Sequence, residues 1–302
     1  MGGLLVQHSL GLAQLQDQGR FGVRHLGVTQ GGALDWIAAG WANRLLGNSP
    51  DCAVIEIPLG GLILEARQDT TLALTGADLD VLLDDQAIPP WHSFKVRSGQ
   101  RLHFNPPRLG VRAYLAAPGG FQAPQVLGSR SCVLREQLGG LYGDGKALQK
   151  GDLLQFSSHQ PQPASMAPEQ IPDYRQPAHL DLVLGAQYSL FAGRSLFDAF
   201  NQPWQVDQRN DRMGLRLLGP ALRYRGPGII SEGIPLGAIQ VPADGQPIIL
   251  LNDRQTVGGY PRLGALTPVA VARLAQVAAG GWLRLQPISQ AQARVQYLRH
   301  AV

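Results

Sequence analysis

Arg212–Met–Gly–Leu–Arg–Leu–Leu–Gly219 decides the fold, because nearly the same octet occurs earlier in the chain. Arg20–Phe–Gly–Val–Arg–His–Leu–Gly27 agrees with it at both arginines, both glycines and one leucine. Three further pairs follow in the same order. Ile57–Pro–Leu–Gly60 comes after Glu56, and Ile234–Pro–Leu–Gly237 comes after Glu232–Gly233. Leu72–Ala–Leu–Thr–Gly–Ala–Asp78 and Ile249–Leu–Leu–Asn–Asp253 are each an apolar run that ends in a polar loop. Glycine-led strand starts at Gly99 and Gly281 close the series. Four matches in one order indicate duplication of a β-rich unit.

The seam between the copies is Ser157–Pro177, where Pro161, Pro163, Pro168, Pro172 and Pro177 sit among Gln, Ser and Ala. Proline at that density sustains neither a helix nor a central strand, so 158–177 reads as a linker over the surface. It separates an N-terminal domain at 1–157 from a C-terminal domain at 178–302, and 302 residues suffice for both. Gly 37 and Pro 22 favour short strands joined by turns over a helical bundle. The spacing predicts strands at Thr71–Thr75, Asp80–Leu83, Phe94–Val96, Arg101–Phe104, Val111–Ala116 and Leu153–Phe156. Such a series suggests barrels or sandwiches. Helices are expected at Ala33–Leu46, at Ser189–Phe200, and at Pro268–Ala278, where Thr267 caps and Gly280 stops. The predicted fold is therefore mainly β with a few helices.

The net charge is +4, but lysine occurs only at Lys95, Lys146 and Lys150, and the arginines are dispersed. A nucleic-acid groove needs a basic stripe with interleaved stacking aromatics, so nucleic acid is not an expected partner. No run of 18 apolar residues exists to span a membrane. The N-terminus lacks a basic segment followed by an apolar block, and Cys52 and Cys132 have no partner motif. A cytoplasmic location is expected.

The densest chemistry follows the buried strand Pro247–Leu251. Asn252–Asp–Arg–Gln–Thr–Val–Gly–Gly–Tyr–Pro261 brings a carboxylate, amides, a hydroxyl and a diglycine to one place. Gly258–Gly259 is expected to turn at positive φ or to let a ligand approach. A plain polar turn before proline has the same composition. Gly140–Leu–Tyr–Gly–Asp–Gly–Lys146 matches a phosphate-loop template, but Ala147 supplies no hydroxyl for magnesium and no helix follows. The seven histidines include no metal-binding spacing, so no metal is expected. Asp17–Gln–Gly–Arg20 and Asn210–Asp–Arg212 place arginine near a carboxylate, with Glu56 and Glu232 at matching positions. That pairing suits recognition of an anionic group, and it equally suits an internal salt bridge.

Several motifs occur together in a fixed order: Gln16–Asp–Gln–Gly–Arg20, Thr75–Gly–Ala77, Gly128–Ser129, Asp211–Arg–Met–Gly214, Ser231–Glu–Gly233, Gly237–Ala–Ile–Gln240 and Gln255–Thr–Val–Gly–Gly–Tyr–Pro261. With them the chain resembles the family of the 5-oxoprolinase C subunit, also known as allophanate hydrolase subunit 2 or the biotin-dependent carboxyltransferase family. The resemblance runs from about residue 4 to 286. It departs at Gln14–Leu15, Ser131–Cys132 and Lys146.

The resemblance implies two related cyclophilin-like β-barrel domains. It also implies the B subunit of 5-oxoprolinase as a direct partner, and the A subunit as a third component. Together these open 5-oxoproline to L-glutamate with ATP, which is bound at the level of the complex. The chain on its own is expected to be inactive. The candidate catalytic residues are Asp253 or Glu232 as base, with Gln240 and Tyr260. The candidate substrate contacts are Asp17, Arg20, Glu56, Arg212, Gln255, Thr256, Gly258 and Gly259. Two alternatives remain open. One is carboxyl transfer from biotin carried by another protein; the other is a non-catalytic regulatory partner that antagonises a kinase inhibitor.

Overall fold

The computed structural model describes residues 2–300, which form a mainly β chain in two units. The first unit comprises residues 1–21 and 31–175; the second comprises 22–30 and 176–302. The boundary therefore differs from the expected one at two places. The proline-rich stretch does not hang as a tether, because its latter part is docked on the first unit. Ser93 and Ala164 exchange hydrogen bonds, Met166 N–H donates to the Trp91 carbonyl at 3.0 Å, and the Met166 side chain is buried. The loop Gly22–Gln30 groups with the second unit, although it lies far from it in sequence.

In the first unit a six-stranded sheet runs in the order Leu153–Leu154, Leu4–Ser9, Leu62–Ala66, Arg101–Phe104, Val81–Leu83 and Gln86–Ile88. A five-stranded sheet runs Gln14–Gln16, Val54–Pro58, Leu109–Ala116, Thr70–Asp78 and His92–Val96. Alternate residues such as Leu62, Leu64 and Ala66 point into the shared apolar core, as period-2 strands require. The helix Trp36–Arg44 starts three residues later than expected. Asp35 is its N-cap and accepts from Ala38 N–H at 3.0 Å, while Ala33 and Leu34 spend their amides on Asp17 and Glu56.

The second unit is a closed seven-stranded barrel in the order Ala178–Leu184, Arg262–Leu266, Ala238–Gln240, Ile248–Leu250, Gly214–Leu218, Trp204–Asn210 and Trp282–Pro287. Closure removes exposed strand edges. Trp204 is fully buried, and its ring lies 2.6 Å from where a Cβ on Gly219 would stand, so the barrel closes tightly there. Thr267 caps the helix Pro268–Leu274 as the sequence predicts. The segment Ser189–Phe200 divides into the 3₁₀ turn Tyr188–Leu190 and the helix Gly193–Asn201. The two octets do not fold alike: the second is the strand Gly214–Leu218, whereas the first makes the turn Arg24–Leu26. Each adopts what its own neighbours impose.

Candidate functional site

The loop after Ile248–Leu250 lies within the second unit. Asn252, Asp253 and Arg254 are buried, and Val257–Gly258 then pairs antiparallel with Glu232–Gly233. Ile234 N–H donates to the Thr256 carbonyl at 3.0 Å and extends this ladder. Neither Gly258 nor Gly259 has positive φ, contrary to the expected turn. Close passage of the facing chain explains both glycines. A Cβ on Gly258 would stand 2.7 Å from Ile234 Cδ1, and one on Gly259 would stand 3.0 Å from the Ile229 carbonyl oxygen.

The acids of this region are ion-paired. Arg212 donates to Asp253 through Nε at 3.0 Å and Nη2 at 3.1 Å, and both side chains are largely buried. Arg212 thus meets a carboxylate supplied by the 252–261 loop, while the adjacent Asp211 accepts from Met213 and Gly214 N–H in a turn. Glu232 accepts from Arg262 Nη2 and, at 2.9 Å, from Gln187 Nε2. Its side chain stays 41% exposed, so it alone of the two predicted bases faces solvent.

Two arginines absent from the predicted site hold the loop in place. Arg24 Nη2 donates to the carbonyls of Ile234 at 2.9 Å and of Gln255 and Thr256 at 3.2 Å. Arg254 donates to the same Ile234 carbonyl at 3.1 Å and to Leu251 at 3.2 Å. Burial, then the like charge of Arg24, push the Arg254 guanidinium down to about 9, and Asp253 opposes them. Arg24 lies inside the repeated octet, which is the only sequence signal for it.

Gln240 ends the barrel strand Ala238–Gln240 and is 2% exposed. Its Nε2 has no hydrogen-bond partner among the described residues. Tyr260 is 53% exposed and, with Gly259, lines a cleft of about 490 Å³ shared with Tyr224, Pro227, Val241 and Asp244. Glu232, Gln240, Gln255, Thr256, Gly258 and Gly259 thus gather about one ladder, with the Arg212–Asp253 pair on the buried side of the same loop.

Asp17, Arg20 and Glu56 belong to the first unit, and internal groups occupy them. Asp17 Oδ1 accepts from Ser129 Oγ at 2.6 Å, Ser131 Oγ at 2.5 Å and Gly19 N–H at 2.8 Å, and Oδ2 accepts from Arg130 N–H at 2.6 Å. Arg20 is fully buried and donates to the carbonyls of Val126 and Ser131. Glu56 accepts from Leu34 N–H and from Tyr114 Oη, both at 2.9 Å, with Arg112 at 3.8 Å. Burial first, then the Glu56 charge, hold the Tyr114 phenol well above its ordinary range. Among the described residues no cluster of His, Cys, Asp and Glu could hold a metal ion, and no helix is long and apolar enough to cross a membrane.

Residues 26–287 match the model of the carboxyltransferase domain, subdomains A and B. The chain is 38% identical to the C subunit of 5-oxoprolinase from Escherichia coli over 93% of its length and 88% of that protein. It is 36% identical to the C subunit of 5-oxoprolinase from Haemophilus influenzae, covering 93% of this chain and 90% of that one. The crystal structure of K. lactis urea amidolyase superposes with a TM-score of 0.92 at 26% identity over 99% of this chain, which spans only 19% of that protein.

Proposed function

The chain belongs to the carboxyltransferase-domain family, and from that premise we propose that it is the C subunit of an ATP-dependent 5-oxoprolinase, acting with the A and B subunits to open 5-oxoproline to L-glutamate. One observation carries this reading. The match to the 5-oxoprolinase C subunit runs nearly end to end in both proteins, whereas urea amidolyase holds the equivalent region as a fifth of a much longer chain.

Opening the ring needs an activated carbonyl, because an unactivated amide resists water. Phosphorylation of the lactam oxygen by ATP supplies that activation: water then adds to the carbon, the ring nitrogen takes a proton and departs as an amine to leave an acyl phosphate, and a second water hydrolyses this to the carboxylate and free phosphate. In this reading Glu232, half in solvent and oriented by Arg262 and Gln187, positions the attacking water. Asp253 is locked to Arg212 and holds the loop that bears Gln255 and Thr256. Tyr260 lines the cleft. The sequence carries no complete phosphate-loop signature, so ATP is assigned to the assembled complex.

The structural likeness to urea amidolyase favours a second reading, carboxyl transfer from biotin carried on another protein. The test is ATP hydrolysis by the three reconstituted subunits with 5-oxoproline, urea and allophanate compared. Stimulation by 5-oxoproline alone is expected. Its absence, or recovery of a biotinylated partner with this chain, overturns the proposal.

A further inference from the structure

Gln240 stands out energetically. It lies in the run Ala238–Ile239–Gln240–Val241, in which all four residues are buried. A carboxamide buried without a partner weakens a fold, and an apolar side chain would fill such a position better. Its place is rigid, because Gln240 is registered against Ile248 on one side and Arg262 on the other. The Gln255 carboxamide makes no side-chain hydrogen bond to any described residue and is partly exposed. Both amides converge on one face of Gly258. The point where a Gly258 Cβ would stand is 3.1 Å from Gln240 Nε2 and 3.7 Å from Gln255 Nε2. Ile234 Cδ1 stands 2.7 Å from the same point, so the glycine adds no side chain of its own between the two amides.

We propose that Gln240, with Gln255 beside it, reads the cis-amide edge of the ligand. A primary carboxamide presents one N–H and one C=O on the same edge, whichever way it is turned. Its two-point complement is a group that also shows N–H and C=O on one side: a lactam or a ureide. An ordinary trans amide points them apart and can satisfy only one. The inference deepens the ring-opening reading and rests on it for the place of the ligand.

The probes are 2-pyrrolidinone, which keeps the lactam N–H, and N-methyl-2-pyrrolidinone, which lacks it. Binding to the full chain and to the reconstituted complex is measured for the wild type, Gln240→Met and Gln255→Leu. The wild type is expected to prefer 2-pyrrolidinone, and both variants to lose that preference. Gln240→Met should raise Tm and raise KM for 5-oxoproline about ten- to hundredfold, the worth of two neutral hydrogen bonds, with a smaller effect on kcat. If Gln240→Met does not fold, Gln255→Leu and the wild-type preference between the lactams still decide the matter.

Equal binding of both lactams, no binding of either in both preparations, or an unchanged preference and KM in the variants overturns the proposal and leaves Gln240 as a group satisfied by internal water only. Gln240-dependent lactam binding without 5-oxoproline-dependent ATP hydrolysis would refute the ring-opening reading while sustaining this one. Full turnover with KM unmoved by Gln240→Met would do the reverse.

Discussion

Asp17→Asn separates a structural carboxylate from a substrate contact. In the structure Asp17 accepts four hydrogen bonds, three on one oxygen and one, from Arg130 N–H at 2.6 Å, on the other. Asparagine can keep its oxygen toward Gly19, Ser129 and Ser131, but its NH₂ then faces the Arg130 N–H. One charge-assisted bond is lost outright, and the remaining three lose the negative charge that strengthens them. A bond to a charged group contributes about 1.5–3 kcal/mol, so the substitution should cost roughly 2–4 kcal/mol. For a domain of roughly 150–250 residues each kcal/mol lowers Tm by about 2–4 °C, which gives a fall of about 4–16 °C. Calorimetry on the full chain measures it, with lactam binding at a temperature where the variant is still folded as the control. Affinity should be unchanged. If Tm moves by less than about 1 °C while binding disappears, Asp17 faces the ligand and the reasoning fails.

Asp253→Leu leaves Arg212 buried without its counter-charge and should cost about 3–5 kcal/mol, whereas adding Arg212→Met should recover much of that; urea unfolding of Asp253→Leu, Arg212→Met and the double forms a cycle, and simple additivity would show that the pair is not coupled. His92 is lowered from its ordinary value of 6.5 chiefly by burial, so its contribution is present above 6.5 and is lost as pH falls through the lower folded-state value. The wild type should therefore lose stability relative to His92→Gln as the pH falls below 6.5, as followed by Tm, and parallel curves would refute the assignment.

Where a single residue type fixes local geometry, the sequence is readable. The strand Arg101–Phe104 has the predicted bounds, and Thr267–Pro268 begins its helix as capping chemistry requires. Readings fail where distant chain decides. The octets share five residues, yet one copy is a strand and the other a short turn, because pairing partners and not the eight residues choose the state. The diglycine 258–259 has the composition of a hinge and serves as clearance for residues 229–234. Arginine near carboxylate is legible as a theme, but the structure pairs Arg212 with Asp253, forty-one positions away. Gln240 is visible in the sequence only as a polar letter in an apolar run. Its lack of a partner depends on what surrounds it in space.

The C-terminal barrel borrows Gly22–Gln30 from the beginning of the chain. During synthesis that short piece leaves the ribosome long before Ile234, Gln255 and Thr256 exist to accept from Arg24. It must wait, undocked, until residues 234–256 have been made. A gene cut at residue 176 would therefore encode a barrel lacking one of its own tie-rods, and supplying 22–30 as a separate peptide should restore what the cut removed.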